Sequence, residues 1–218
     1  MRDCSSAWCG LVGREVLHSV WAMAIERLGF LGGSFDPVHW GHLVLARDAM
    51  EQSGLDRVSM VPVSRNPLKG EGPLAPAADR LAMLRAACAL CPGLDVLDWE
   101  LDREGPSYTI VTVERLRAAH PGAVLHWIIG EDQLPSLHLW HRIGELARMV
   151  TFLVLTRPRS SGLSSPVEGL RLEFLRRREV DISSTEIRKR LAAGLPIGHM
   201  VPPEVSRHIE QHSLYTFL

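Results

Sequence analysis

What the chain lacks narrows its class. No apolar run reaches the roughly 18 residues that a membrane-spanning helix needs, so no membrane role is expected. A secretory signal is not readable either: Arg14 and Glu15 interrupt the early apolar stretch, and no small-residue cleavage site follows. An excess of one charge is missing, with 24 Lys+Arg against 25 Asp+Glu. That balance argues against nucleic acid as a partner, because such binders carry a positive surplus. Any phosphate recognition must come from local placement of donors. Cysteines are few: Cys4, Cys9, Cys88 and Cys91. The spacing of Cys88 and Cys91 supplies two of the four ligands that structural zinc wants. Both lie at the end of an Ala- and Leu-rich stretch, just before Pro92, and are expected as buried structural thiols. No metal site and a cytoplasmic location are the resulting expectations. The chain also lacks G-x-S-x-G, H-E-x-x-H, a Walker A loop and a complete G-x-G-x-x-G.

What is present begins to be regular at Met23. Residues 1–22 show no periodicity and are expected to be a flexible or non-native extension, with 23–218 as a single domain. Arg27–Leu31 reads as a strand running into Gly32-Gly33. Gly41–Gln52 reads as a helix with Leu43, Ala46, Ala49 and Met50 on one face, closed by Gly54. Arg57–Val61 is a second strand. Pro62–Pro76, with four prolines and two glycines, is a long loop. Further on, helices are predicted over Ala78–Leu90, Tyr108–Ala119, Trp140–Ala147, Thr185–Ala193 and Pro203–Gln211. Strands are predicted over Leu94–Leu101, Val124–Ile129 and Val150–Leu155, with Leu170–Phe174 as an edge strand. Strands alternating with helices imply an α/β fold: a Rossmann-like, doubly wound, mostly parallel sheet. A small C-terminal helical part spans about 182–218.

Ligands on such sheets bind beyond the carboxyl ends of the strands. The segment after the first strand is Gly32-Gly33-Ser34-Phe35-Asp36-Pro37-Val38-His39-Trp40-Gly41-His42. Its glycines allow close backbone approach. His39 and His42 lie where a helix begins, beside N–H groups that favour anions. A metal would need more ligands than this pair and Asp36 offer. A second segment, Ile182-Ser183-Ser184-Thr185-Glu186-Ile187-Arg188, has the S-x-x-E spacing of a capping box in Ser183 and Glu186. Ser184, Thr185 and Arg188 crowd hydroxyls, N–H groups and a guanidinium into one turn, a second anion site. Two such termini suit a triphosphate. Attack of one nucleotide's phosphate on the α-phosphorus of another needs no general base; it needs positioning and charge stabilisation.

These segments closely resemble those of the bacterial nicotinate mononucleotide adenylyltransferases, within the nucleotidyltransferase superfamily that carries the H-x-G-H signature. Here the signature is His39-Trp40-Gly41-His42. The resemblance runs from about Arg27 to Tyr215. It extends to Arg103–Thr109, Ile128–Asp132, Val201–Val205 and Leu214-Tyr215. It implies transfer of AMP from ATP to nicotinate mononucleotide, with Mg²⁺ carried on the ATP phosphates. It implies catalytic roles for His39, His42 and Arg188. ATP would be held by Gly32, Gly33, Ser34, His39, His42, Gly130, Asp132, Ser184, Thr185 and Arg188. The mononucleotide would meet Ser34, Phe35, Lys69, Tyr108, Thr109 and Trp140. A homo-oligomer is compatible with the sequence, which does not fix the oligomeric state. Two departures stand out: Ser34 replaces the family's usual threonine, and Leu68 replaces the histidine of its usual Pro-Pro-His-Lys loop.

Overall fold

Apolar runs in the middle of the chain are buried on both faces, as a parallel sheet covered by helices requires. A computed structural model of the chain describes residues 26–68, 72–103, 105–158, 164–165 and 167–216. The expected extension 1–22 and Lys69 lie outside the described residues. The strands are β1 (Arg27–Gly33), β2 (Arg57–Pro62), β3 (Leu94–Val96), β4 (Val124–Gly130), β5 (Thr151–Thr156) and β6 (Leu172–Arg176). The helices are α1 (Trp40–Gln52), α2 (Ala77–Cys88), α3 (Thr109–Ala119), α4 (Ile143–Met149), α5 (Ser184–Ala192) and α6 (Pro203–Gln211). A stretch of 3-10 helix covers Glu131–Leu139.

All strand pairings are parallel, in the order β3-β2-β1-β4-β5-β6. The order reverses between β1 and β4, and a crevice opens there at the carboxyl ends. Gly33 closes β1 opposite Pro62 of β2. Gly130 closes β4 opposite Leu155 of β5. One face of the sheet packs Leu31, Val58, Met60, Ile128, Leu153 and Leu155 against α1, α2, α5 and α6. The other packs Phe30, Val61, Trp127, Ile129, Phe152 and Val154 against α3, α4 and the 3-10 stretch. The C-terminal helical part is no separate core. Ile187, Met200, Val201, Val205, Ile209 and Tyr215 join the first cluster. No helix among the described residues is long and apolar enough to cross a membrane.

Three predicted elements differ from those observed. The strand expected over Leu94–Leu101 ends at Val96. The chain then turns inward and buries Glu100, whose carboxylate accepts the Thr112 hydroxyl at 2.6 Å. The helix expected over Trp140–Ala147 runs Ile143–Met149; Trp140 instead ends the 3-10 stretch, which the sequence reading missed. Pro135 inside that stretch disguised it. β6 lies at the sheet edge as expected, but two residues later. Cys88 is buried, with burial pushing its thiol up to about 12, and Cys91 is partly buried.

Candidate active site

The turn after β1 builds the first half of the site. Gly33 is small for a reason: a Cβ there would stand 2.9 Å from the Phe35 ring. Phe35 takes a positive φ of 46° and Asp36-Pro37 is cis. The Phe35 ring is buried and meets the His42 ring edge-on at 5.0 Å. Its side chain therefore backs a histidine rather than facing a ligand, and what this position can offer a mononucleotide is its backbone.

His39 caps α1 and His42 sits in its first turn, with ring centroids 3.8 Å apart. The His39 backbone N–H donates to His42 Nδ1 at 3.3 Å. Burial lowers His39 to about 4. Burial first, and then the neighbouring His39, lowers His42 well below its usual value. Both rings are thus neutral at pH 7. With Nδ1 of His42 accepting, its single proton lies on Nε2, a donor left for a ligand. Nδ1 of His39 is buried without a hydrogen-bond partner. A phosphate oxygen arriving here would find a neutral donor in His42 Nε2–H.

Asp36 organises the turn. It is 4% exposed and its carboxylate accepts from Leu74 N–H at 2.8 Å, Ala75 N–H at 3.0 Å and Tyr215 O–H at 2.7 Å. Three donors therefore converge on this one carboxylate. Arg80, 2% exposed, donates to the Ser34 carbonyl at 2.6 Å. Sequence reasoning missed Arg80 and the roles of Tyr215 and Asp36. A signal existed for the first: Arg80 stands on the buried stripe Arg80-Met83-Leu84-Ala87 of α2, where an apolar residue is expected.

The second half is the start of α5, where Ser183 Oγ accepts Glu186 N–H at 3.2 Å, the predicted cap. Ser184 Oγ donates to the Pro37 carbonyl at 2.9 Å, and Arg188 donates to the Asp36 carbonyl at 2.7 Å. Arg188 also donates to Thr185 Oγ1 at 3.4 Å. The carbonyl of Ile182 lies 3.7 Å from where a Gly41 Cβ would stand. The N-termini of α1 and α5 therefore adjoin, which brings two positive dipole ends close together. The Ser184 hydroxyl proton is committed to Pro37, so α5 offers a ligand chiefly its first N–H groups.

The other predicted residues lie around the crevice. Gly130 and Asp132 are at the end of β4, with Asp132 Oδ1 against Gly130, where a Cβ would collide. Tyr108 caps α3 and its ring lies 4.5 Å from His141, the residue after Trp140. Trp140 is partly exposed and edge-on to Phe152 at 6.1 Å. Ser107 joins this group to the loop after β2: its hydroxyl accepts Ser64 N–H at 3.0 Å and its N–H donates to the Arg65 carbonyl at 2.9 Å. The Tyr108–His141 contact thus brings the start of α3, with Thr109, beside the segment that carries Trp140.

The open parallel sheet and twin helix termini define a class of α/β protein made to handle nucleotide phosphates. A family model described as cytidylyltransferase-like matches residues 30–190. Among curated relatives, the probable nicotinate-nucleotide adenylyltransferase of Opitutus terrae is 44% identical, over 87% of this chain and 97% of the relative. That of Methylacidiphilum infernorum is 40% identical, over 87% and 92%. The chain belongs to the nicotinate-nucleotide adenylyltransferase family, within the cytidylyltransferase-like group. A solved structure titled Plasmodium falciparum nicotinic acid mononucleotide adenylyltransferase complexed with NaAD shares the fold. Its TM-score is 0.71 at 17% identity, covering 88% of this chain and 98% of that one.

Proposed function

We propose that the protein transfers AMP from ATP to nicotinate mononucleotide, giving nicotinate adenine dinucleotide and pyrophosphate, a step of NAD biosynthesis. The observation that carries this reading is the junction of the α1 and α5 N-termini through Ser184, Arg188 and Gly41. The names of the relatives supply the acceptor. In the reaction a phosphate oxygen of the mononucleotide bonds to the α-phosphorus of ATP, and the bond from that phosphorus to the bridging oxygen breaks. No proton need move, because the attacking phosphate is already ionised. Pyrophosphate leaves carrying the electron pair.

His42 Nε2–H donates to the oxygens that gain charge, beside His39. Arg188 and the N–H groups of Ser184 and Thr185 hold the polyphosphate from the other side. Gly32, Gly33 and Ser34 let it lie against the end of β1, and Asp132 beside Gly130 takes the ribose hydroxyls. The mononucleotide lies toward Tyr108, Thr109 and Trp140, whose indole stacks on the pyridine ring, while Lys69 reaches its phosphate. The donors at this site are imidazole, guanidinium and N–H groups, which suit phosphate and not a bare cation, so Mg²⁺ arrives as part of the ATP substrate. Pyrophosphate release from MgATP, measured with nicotinate mononucleotide, with its amide and with no acceptor, tests the reading. Release that requires the nicotinate acceptor is expected. Acceptor-independent release, or none with either mononucleotide, would overturn it.

A further inference from the structure

We propose that Asp79, His208 and His212 bind a divalent transition-metal ion of the zinc type, which clasps α2 to α6 behind the phosphate-binding turn. His208 lies on α6 and His212, four residues later, is its C-terminal cap, so their rings project from one face. The rings stack with centroids 4.1 Å apart and 19° between planes. His208 Nε2 and His212 Nδ1 each lie 2.9 Å from the same oxygen, Asp79 Oδ1, on α2. Among the described residues this is the one group of three such side chains whose ligand atoms lie within 4.8 Å of one another.

Three lone-pair atoms converging from two helices match what a tetrahedral ion asks for. With metal–ligand bonds of 2.0–2.2 Å, neighbouring ligand atoms stand about 3.3–3.5 Å apart. The two N···O separations of 2.9 Å have to open by about half an ångström to reach that spacing. Two imidazoles and one carboxylate favour zinc, nickel or cobalt over magnesium or calcium, which prefer oxygen donors. The site is reachable, since the His212 side chain is half-exposed while Asp79 and His208 are mostly covered. Glu204 precedes His208 by one turn on the same helix, and its Oε2 is buried without a hydrogen-bond partner. Glu204 stands outside the group of three, so water completes the coordination.

The location gives the ion a purpose. Arg80, next to Asp79, holds the Ser34 carbonyl, and Tyr215, three residues after His212, holds Asp36. Both contacts reach the turn that carries His39 and His42. Fixing α2 to α6 fixes the two supports together. The ion is a clasp, far from the transferred phosphorus in role, and takes no part in the chemistry.

The test uses the full chain, freed of metal with a chelator and titrated with ZnCl₂ by calorimetry and with CoCl₂ by visible absorption. One saturable equivalent is expected, with cobalt d–d bands of a low-coordinate nitrogen and oxygen site and a raised Tm in zinc. His212→Gln, at a half-exposed position that leaves folding intact, should weaken that equivalent by about tenfold or more and abolish the Tm shift; Asp79→Asn should do the same. His42→Ala should leave the equivalent unchanged. No saturable binding, equal binding by His212→Gln and wild type, or loss of the equivalent in His42→Ala would each overturn the assignment. In those cases Asp79 joins the two histidines through hydrogen bonds alone.

Discussion

His42 carries its one proton on Nε2 because a backbone N–H three residues earlier occupies Nδ1. His42→Ala removes that donor and should lower kcat by roughly 10²–10³ with a smaller effect on KM, the scale of losing one transition-state contact. Steady-state kinetics within threefold of wild type would sink its role. His39 makes a different prediction. Its folded pKa of about 4 lies below its ordinary 6.5, so the unfolded chain takes up a proton that the folded one refuses. Stability should therefore be unaffected above pH 6.5, fall as pH drops from 6.5 towards 4, and level off below, by at most about 3 kcal/mol. Urea titrations at pH 7.5 and 4.5 should show a smaller fall in His39→Asn than in wild type; equal falls would contradict the assignment. The histidines were legible in the sequence because their three-residue spacing at a helix start is local. Asp36, Arg80 and Tyr215 were not, since their contacts span 38, 46 and 179 residues, and no local pattern encodes such partners.

Between elements, Gly41 at the start of α1 faces Ile182, which leads into α5. The glycine's lack of a side chain makes room for His39: a Cβ would stand 2.9 Å from that ring, itself buried. Gly41→Ala should leave the far-ultraviolet dichroism intact, push His39 aside and lower kcat/KM on the order of 10²-fold, the effect of a displacement near 1 Å. Activity near wild type would mean that the ring yields freely. Element existence was readable wherever a period of two or of 3.6 held for long enough. α6 matches its predicted span, and β1, β2, β4 and β5 differ from theirs by one or two residues. β3 stops at Val96, and the chain beyond it leaves the sheet and pairs Glu100 with Thr112, a contact that no strand period encodes. The 3-10 stretch escaped because its period is neither of the two being sought.

At the scale of the molecule, the site is assembled from both ends of the described chain. Tyr215 O–H donates to Asp36 across the first core cluster. Tyr215→Phe leaves the ring in place and removes one donor from a buried carboxylate. It should lower stability by roughly 1–3 kcal/mol and raise KM for ATP more than it lowers kcat, because the turn loosens without losing a reacting group. Thermal unfolding and kinetics together check this, and an unchanged Tm would show that water replaces the phenol. The doubly wound order was legible because strands and helices alternate; the packing of 182–216 into the main core was not, because amphipathic helices do not state which face of a sheet they will cover.

The reach from Asp36 to Tyr215 also has a meaning in time. A ribosome delivers the turn that bears His39 and His42 early, and delivers the phenol that ties it 179 residues later. Until then the turn lacks one of its three carboxylate donors, and α5, which presses on Pro37, is also still to come. A nascent chain therefore cannot present a finished nucleotide site, and competence for ATP should arise as the last helix docks.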